Sequence, residues 1–262
     1  MPSSDTSLAS LFSIKGKVAL ITGAGAGIGA ATARVLGLAG GAAVAINDLP
    51  STDRHHFLAE ELRGAGVDAL SVDADVSSAE AVMAMVSTVE RELGPIDILV
   101  NNAGITLPRT IDETDLVAWE RVLAIHLGGA FLVSQAVLPG MIARRAGTII
   151  QMSSVTGHQG ALRGHIAYAT AKSGLLGFTK TLARTAGPHG VRVNAIAPGI
   201  VSTEMLMATH GEAGIAVIRE SVPLGEVATP EDIASVALFL SSPAARHING
   251  ATIDVNGGLL MR

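Results

Sequence analysis

Seven short apolar runs, rich in Val, Ile and Ala, punctuate the chain: KVALIT (17–22), AAVAIN (42–47), DALSVD (68–73), IDILVN (96–101), GTIIQMS (147–153), VRVNAIAP (191–198) and ATIDV (251–255). Longer stretches of helical period separate them, such as HIAYATAKSGLLGFTKTLARTAG (165–187). Strand and helix thus alternate, which builds βαβ units. The runs are nearly continuous in apolar character, as strands are when helices cover both faces of a sheet. The pattern predicts a single-domain, doubly wound Rossmann fold of the α/β class, with a seven-stranded parallel sheet. A short tail, 1–14, precedes a domain spanning 15–262, and no Pro/Ser-rich linker or low-complexity block divides it.

Composition narrows the function. The 262 residues are 48% hydrophobic, enough for a sizeable core, and 16% charged with a formal net charge of −5. No long basic run appears, so a nucleic-acid partner is not expected, and a small molecule is. Cysteine is absent, which excludes disulfides and thiolate metal sites; no metal is expected. The N-terminus lacks a basic region followed by an apolar run, and no apolar stretch approaches the length needed to span a bilayer. The expectation is a cytoplasmic protein without a membrane partner.

Candidate chemistry starts at TGAGAGIG (22–29), a glycine-rich turn between the first strand and first helix. Gly23, Gly27 and Gly29 are the spaced glycines, a departure from G-x-G-x-x-G. Glycine suits a backbone that must turn sharply and approach a pyrophosphate at a helix N-terminus. Asp48 ends the second strand about twenty residues later, where a carboxylate accepts from an adenosine ribose and repels a 2′-phosphate. No Lys or Arg stands in the glycine loop or directly after Asp48, so NAD is expected over NADP. Asp75 is read as the end of the third strand, with Ser77 or Ser78 as a helix N-cap beyond it. NNAG (101–104) follows the fourth strand.

Tyr168 and Lys172 are four residues apart on a predicted helix, so they share a face. A nearby ammonium lowers a phenol's pKa toward the working range, and the pair can then exchange a proton with an alcohol or carbonyl. Ser154, at the end of the fifth strand, can donate to the same oxygen.

With these motifs the chain resembles the short-chain dehydrogenase/reductases from about Lys15 to its C-terminus. The resemblance implies Ser154, Tyr168 and Lys172 for catalysis. It implies cofactor contacts from Gly23, Gly27, Ile28 and Gly29, from Asp48, Asp75 and Val76, and from Asn102, Ala103 and Gly104. Pro198, Gly199, Val201 and Thr203 of PGIVST would also bind the cofactor, the backbone after the proline-glycine pair and Thr203 holding the nicotinamide carboxamide, and Lys172 its ribose. The implied reaction is hydride transfer between nicotinamide and a secondary alcohol or ketone. His126 stands where the family usually has an asparagine that fixes a water of the proton relay. A histidine there can hold a water and titrate near neutrality, or simply pack.

The family also implies a homotetramer and a substrate flap at about 203–228, with Met205, Leu206, Met207 and Ile215 as apolar walls. The loop carrying His158, Gln159, Leu162, Arg163 and His165 would edge the pocket. The chain is also similar to reductases of β-ketoacyl groups on acyl carrier protein, which use NADPH and grip the carrier with basic residues; Arg145 and His189 match those positions. A nucleotide-sensing protein without turnover is the reading from another class.

Overall fold

The computed structural model describes residues 8–161 and 164–262, without the side chains of Leu8, Ala9, Met205 and 207–213. Leu162 and Arg163, and the side chains of Met205 and Met207, therefore lie outside the described residues.

All seven predicted runs are strands: β1 Val18–Ile21, β2 Ala43–Asp48, β3 Ala69–Asp73, β4 Ile98–Asn101, β5 Gly147–Met152, β6 Val191–Pro198 and β7 Thr252–Val255. They form one parallel sheet in the order β3-β2-β1-β4-β5-β6-β7. The order reverses between β1 and β4, and a crevice opens there at the carboxyl ends of the strands.

The helices are α1 Leu8–Phe12, α2 Gly27–Arg34, α3 Arg54–Gly64, α4 Ala79–Glu92, α5 Leu116–Leu123, α6 Gly129–Arg144, α7 Thr156–Gln159, α8 Ile166–Ala186, α9 Glu204–Glu220 and α10 Pro230–Ser241. Alternate strand residues feed opposite cores. Ala19 and Ile21 join Leu36, Leu62, Ile233 and Leu240 on one face. Val18 and Leu20 join Val82, Val89, Val137 and Met141 on the other. Both sets are excluded from water, which is why the strands read as unbroken apolar runs.

The structure corrects two expectations. β3 ends at Asp73, so Asp75 lies in the following turn, where its Oδ1 accepts from the Ser77 amide at 2.9 Å and hydroxyl at 2.6 Å. Ser78 is the N-cap of α4. Second, a π-helical turn, Ala124–Gly128, fuses α5 and α6 into one helix, Leu116–Arg144, that is long and apolar enough to cross a membrane. Its apolar character has another use here. Val133, Val137 and Met141 are buried in the core between α6, α4 and the sheet.

The segment after β6 leaves and rejoins the body at one point. Val201 and Ala228 form a parallel bridge, and Ser202 N donates to Ala228 O at 2.7 Å. Between them α9 starts at a Thr203 cap, and Ile215 is buried. α10 follows with a Thr229–Asp232 capping box and Pro230 in its first turn.

Candidate active site

A cleft of about 720 Å³ opens at the carboxyl ends of β1, β2, β4, β5 and β6. Its floor is the glycine turn. Gly23 and Gly27 have φ of +60° and +54°, which L side chains rarely adopt. A Cβ on Gly23 would lie 2.7 Å from Ala103 Cα, and one on Gly25 would lie 2.5 Å from Asp48 Oδ2. Gly27 and Ile28 line the cleft at the first turn of α2, whose leading amides have no acceptor within the helix. Gly29 does not line the cleft; a side chain there would strike Asn102 Nδ2 at 2.6 Å, so it serves the close approach of helix to strand end.

Asn102 braces this turn. Its amide donates to Thr22 Oγ1 at 3.0 Å, and its Nδ2 donates to the carbonyls of Thr22 and Gly23 at 3.0 and 2.9 Å. Ala103 and Gly104 continue the wall beside it.

Asp48 reaches the cleft from β2 and accepts from the Gly25 amide at 2.9 Å and the Leu49 amide at 2.8 Å. Asp75 and Val76 line the same end. The Ser77 hydrogen bonds hold the Asp75 carboxyl below the usual range. Two cations that sequence reasoning missed also line it, Arg54 and Arg121. Arg54 opens α3 six positions beyond Asp48, outside the stretch directly after the carboxylate, and it pairs with Glu204 of α9 at 3.0 Å. Arg121 is one helical turn before His126 on the α5–α6 helix, a spacing no local motif marks.

At the other end of the cleft stand Ser154, Tyr168 and Lys172. Lys172 is buried, donates to Met152 O at 2.5 Å, and sits 5.4 Å from the Tyr168 ring centroid. Loss of hydration lowers its pKa to about 7. Burial raises the Tyr168 pKa, and a hydrogen bond with Ser154 pulls it partway back. The phenol is thus held protonated, whereas the sequence expectation has the ammonium lowering its pKa. Thr156 donates to Ser154 Oγ from its amide at 3.2 Å and its hydroxyl at 3.1 Å, which leaves the serine's own proton free to be donated into the cleft. Ser153 Oγ donates to Lys172 O at 2.9 Å and so ties the end of β5 to α8.

His126 lies in the π-helical turn and lines the cleft. Such turns recur at functional sites, and no sequence pattern announced this one. Its Nε2 is 2.8 Å from Ile105 O and 3.1 Å from Ile105 N, while Nδ1 is buried without a partner. Desolvation, then the charge of Lys172, lowers its pKa to about 3. Of the two readings of His126, this favours the packed one: the ring stays neutral because it is buried and a cation is close.

Pro198, Gly199, Val201 and Thr203 form the remaining wall. Pro198 O accepts from Val155 N at 2.8 Å and Gly199 N donates to Val255 O at 2.9 Å, so this backbone is pinned on both sides. His158 and Gln159 do not line the cleft; His158 turns toward Asp254, 3.5 Å away. His165 is the N-cap of α8, at φ +57°, with its ring 6.2 Å from that of Tyr168.

The donor set fits a nicotinamide dinucleotide. A glycine cradle that any Cβ would fill meets a helix N-terminus, a carboxylate stands at the ribose distance along the chain, and a buried lysine lies at the far end.

A family model described as Enoyl-(Acyl carrier protein) reductase matches residues 23–260. The chain is 41% identical over 247 residues to a 3-oxoacyl-(acyl-carrier-protein) reductase of Aquifex aeolicus, covering 94% of this chain and 98% of the relative. It is 40% identical over 243 residues to nodulation protein G of Azospirillum brasilense, covering 93% and 98%. A crystal structure of an Agrobacterium tumefaciens protein assigned as a gluconate dehydrogenase superposes with a TM-score of 0.90 at 32% identity, covering 96% of this chain and 99% of that one.

Proposed function

Because this chain belongs to the short-chain dehydrogenase/reductase family, we propose that it reduces the 3-keto group of acyl thioesters with a nicotinamide cofactor. The convergence of Ser154, Tyr168 and Lys172 on the cleft that holds the glycine cradle carries the reading. The names of its 3-oxoacyl reductase relatives support the substrate class.

The nicotinamide, when bound, supplies the hydride. The chain's residues handle the proton. Ser154, its own proton left free by Thr156, donates to the carbonyl oxygen and fixes its position. Tyr168, kept as a neutral phenol by burial, gives its proton to that oxygen as charge develops there. Lys172, with a pKa near the working pH, stabilises the phenolate and helps return the proton.

Carrier docking is part of this reading. Arg145 ends α6 and donates to Pro188 O at 3.0 Å, which sets it beside His189; both are exposed and only Arg145 is permanently cationic. A homotetramer built through β7 and α8 is proposed by family analogy; a stable monomer in sedimentation would refute it.

A second reading, an NAD-linked dehydrogenase of secondary alcohols, is favoured by Asp48, whose carboxylate opposes a 2′-phosphate. Arg54 lies at the same end and offers the opposite charge. Steady-state assays decide between them. Acetoacetyl thioesters, free and carrier-bound, are reduced with NADPH and NADH, and a panel of secondary alcohols and polyols is oxidised with NAD. The proposal expects the thioester to win in kcat/KM; an alcohol turned over faster, with the thioester inert, overturns it. No turnover of either, with cofactor bound, would favour the nucleotide-sensing reading.

A further inference from the structure

We propose that His55, His56 and Asp73 form a binding site for a divalent transition-metal ion of the zinc class at the open edge of the sheet. β3 is the edge strand, paired only with β2, and Asp73 is its last residue. α3 lies against it and brings both histidines in its first turn. Adjacent helical residues normally point about 100° apart. Here the two rings lie face to flank, 4.1 Å between centroids at 35°, and both present Nε2 to the same carboxylate oxygen. His55 Nε2 is 2.7 Å and His56 Nε2 3.3 Å from Asp73 Oδ1. Among the described residues this is the one group of three such donors with ligand atoms mutually within 4.8 Å.

The donor chemistry selects the ion. Two imidazole nitrogens and one carboxylate oxygen form a borderline set that suits zinc, cobalt and nickel better than calcium or magnesium. Bonds of about 2.0–2.2 Å in a tetrahedron separate ligands by roughly 3.4 Å. The His56–Asp73 distance is already close to this, and the His55–Asp73 contact has to widen by a fraction of an ångström. A water would complete the fourth position.

The surroundings favour loading. Ser71 Oγ lies 2.8 Å from His56 Nδ1, the outer hydrogen bond that turns the Nε2 lone pair toward a metal. His55 is fully buried and its Nδ1 has no partner, so nothing but Asp73 dictates where its proton sits. His56 and Asp73 are 42% and 45% exposed, which gives an ion its entry path. Because Asp73 is in register with Asp48 and Arg54 immediately precedes His55, a metal here would clamp the adenosine end of the cleft from behind.

Untagged protein, freed of metal by chelation, is titrated with Zn(II) by calorimetry and with Co(II) by its visible d–d absorption. One saturable equivalent is expected, with a melting temperature that rises with zinc. His56→Ala and Asp73→Asn should each weaken affinity at least ten-fold, and His158→Ala should leave it unchanged. Circular dichroism confirms that each variant is folded. Absence of a saturable equivalent in the wild type, or unchanged affinity in folded His56→Ala, overturns the site and leaves the cluster a hydrogen-bonded tie between α3 and β3.

Discussion

The imidazole of His126 meets the ring of Tyr168 edge-on, with centroids 5.4 Å apart and planes at 84°. The contact ties the π-helical turn to the phenol. Burial and the charge of Lys172 keep His126 neutral, and this has a pH signature. Its folded pKa of about 3 is below the ordinary 6.5, so between these values the unfolded chain holds the extra proton. Stability is present in full above pH 6.5 and is lost as pH falls toward 3, at up to about 1.4 kcal/mol per unit. His126→Asn should flatten this limb in denaturation curves recorded across that range. It should leave the pH–rate profile between 6 and 8 unchanged.

Gly104 packs directly on the His126 ring, and a Cβ there would overlap it. The ring is held in place by Ile105 and Tyr168. Gly104→Ala should therefore cost about 1–3 kcal/mol in chemical denaturation and lower kcat by displacing the phenol's neighbour. Gly64→Ala is the control: a Cβ at this exposed α3 position meets nothing, and its φ is ordinary. That change should stabilise by about 0.4–1 kcal/mol.

Lys172 gives the opposite end of the pH scale. Its pKa falls from 10.5 unfolded to about 7 folded. Below pH 7 both states are protonated and the full cost of the buried ammonium applies. Between 7 and 10.5 the folded state has shed its proton and the unfolded state has not, so stability rises with pH. Lys172→Met should abolish that rise in thermal melts and also lose activity.

Tyr168→Phe removes the proposed proton donor while keeping the ring against His126. A loss of about 10²–10⁴-fold in kcat is expected, with cofactor affinity by fluorescence titration nearly unchanged. A variant with near wild-type turnover would remove Tyr168 from the mechanism.

Cofactor choice turns on Asp48 and Arg54. Asp48→Ala should raise kcat/KM with NADPH relative to NADH by about ten-fold or more, because it removes a charge of about 1.4 kcal/mol or greater repulsion. Arg54→Ala should act in the reverse sense, weakening NADPH and sparing NADH. Parallel initial-rate assays with the two cofactors read both.

Most of the fold was legible because the central strands β1, β4, β5 and β6 have both faces buried, so apolar runs alone marked them. The end of β3 was placed two residues too late, at Asp75 rather than Asp73, since alternating Asp and Val in SVDADV reads as strand until Ser77 claims the carboxylate. Ser154, Tyr168 and Lys172 were legible because two of them share a helix face and the third follows closely on a strand beside it. Arg54, Arg121 and the π-helical turn were not. Their proximity to the cleft depends on how α3 and the α5–α6 helix lean on the sheet, which local spacing does not encode. Sequence left the two readings of His126 open for a similar reason: a pKa depends on burial and on Lys172, and neither is set by local sequence.

The parallel bridge between Val201 and Ala228 makes the intervening helix a cassette. Both of its joints lie at a single place on the rim of the cleft, so a segment of different length or composition could be spliced between them while β6, α10 and the proton-handling residues keep their positions. We propose that exchange of residues 204–227 with a homologue's transplants substrate preference and leaves the reaction chemistry behind.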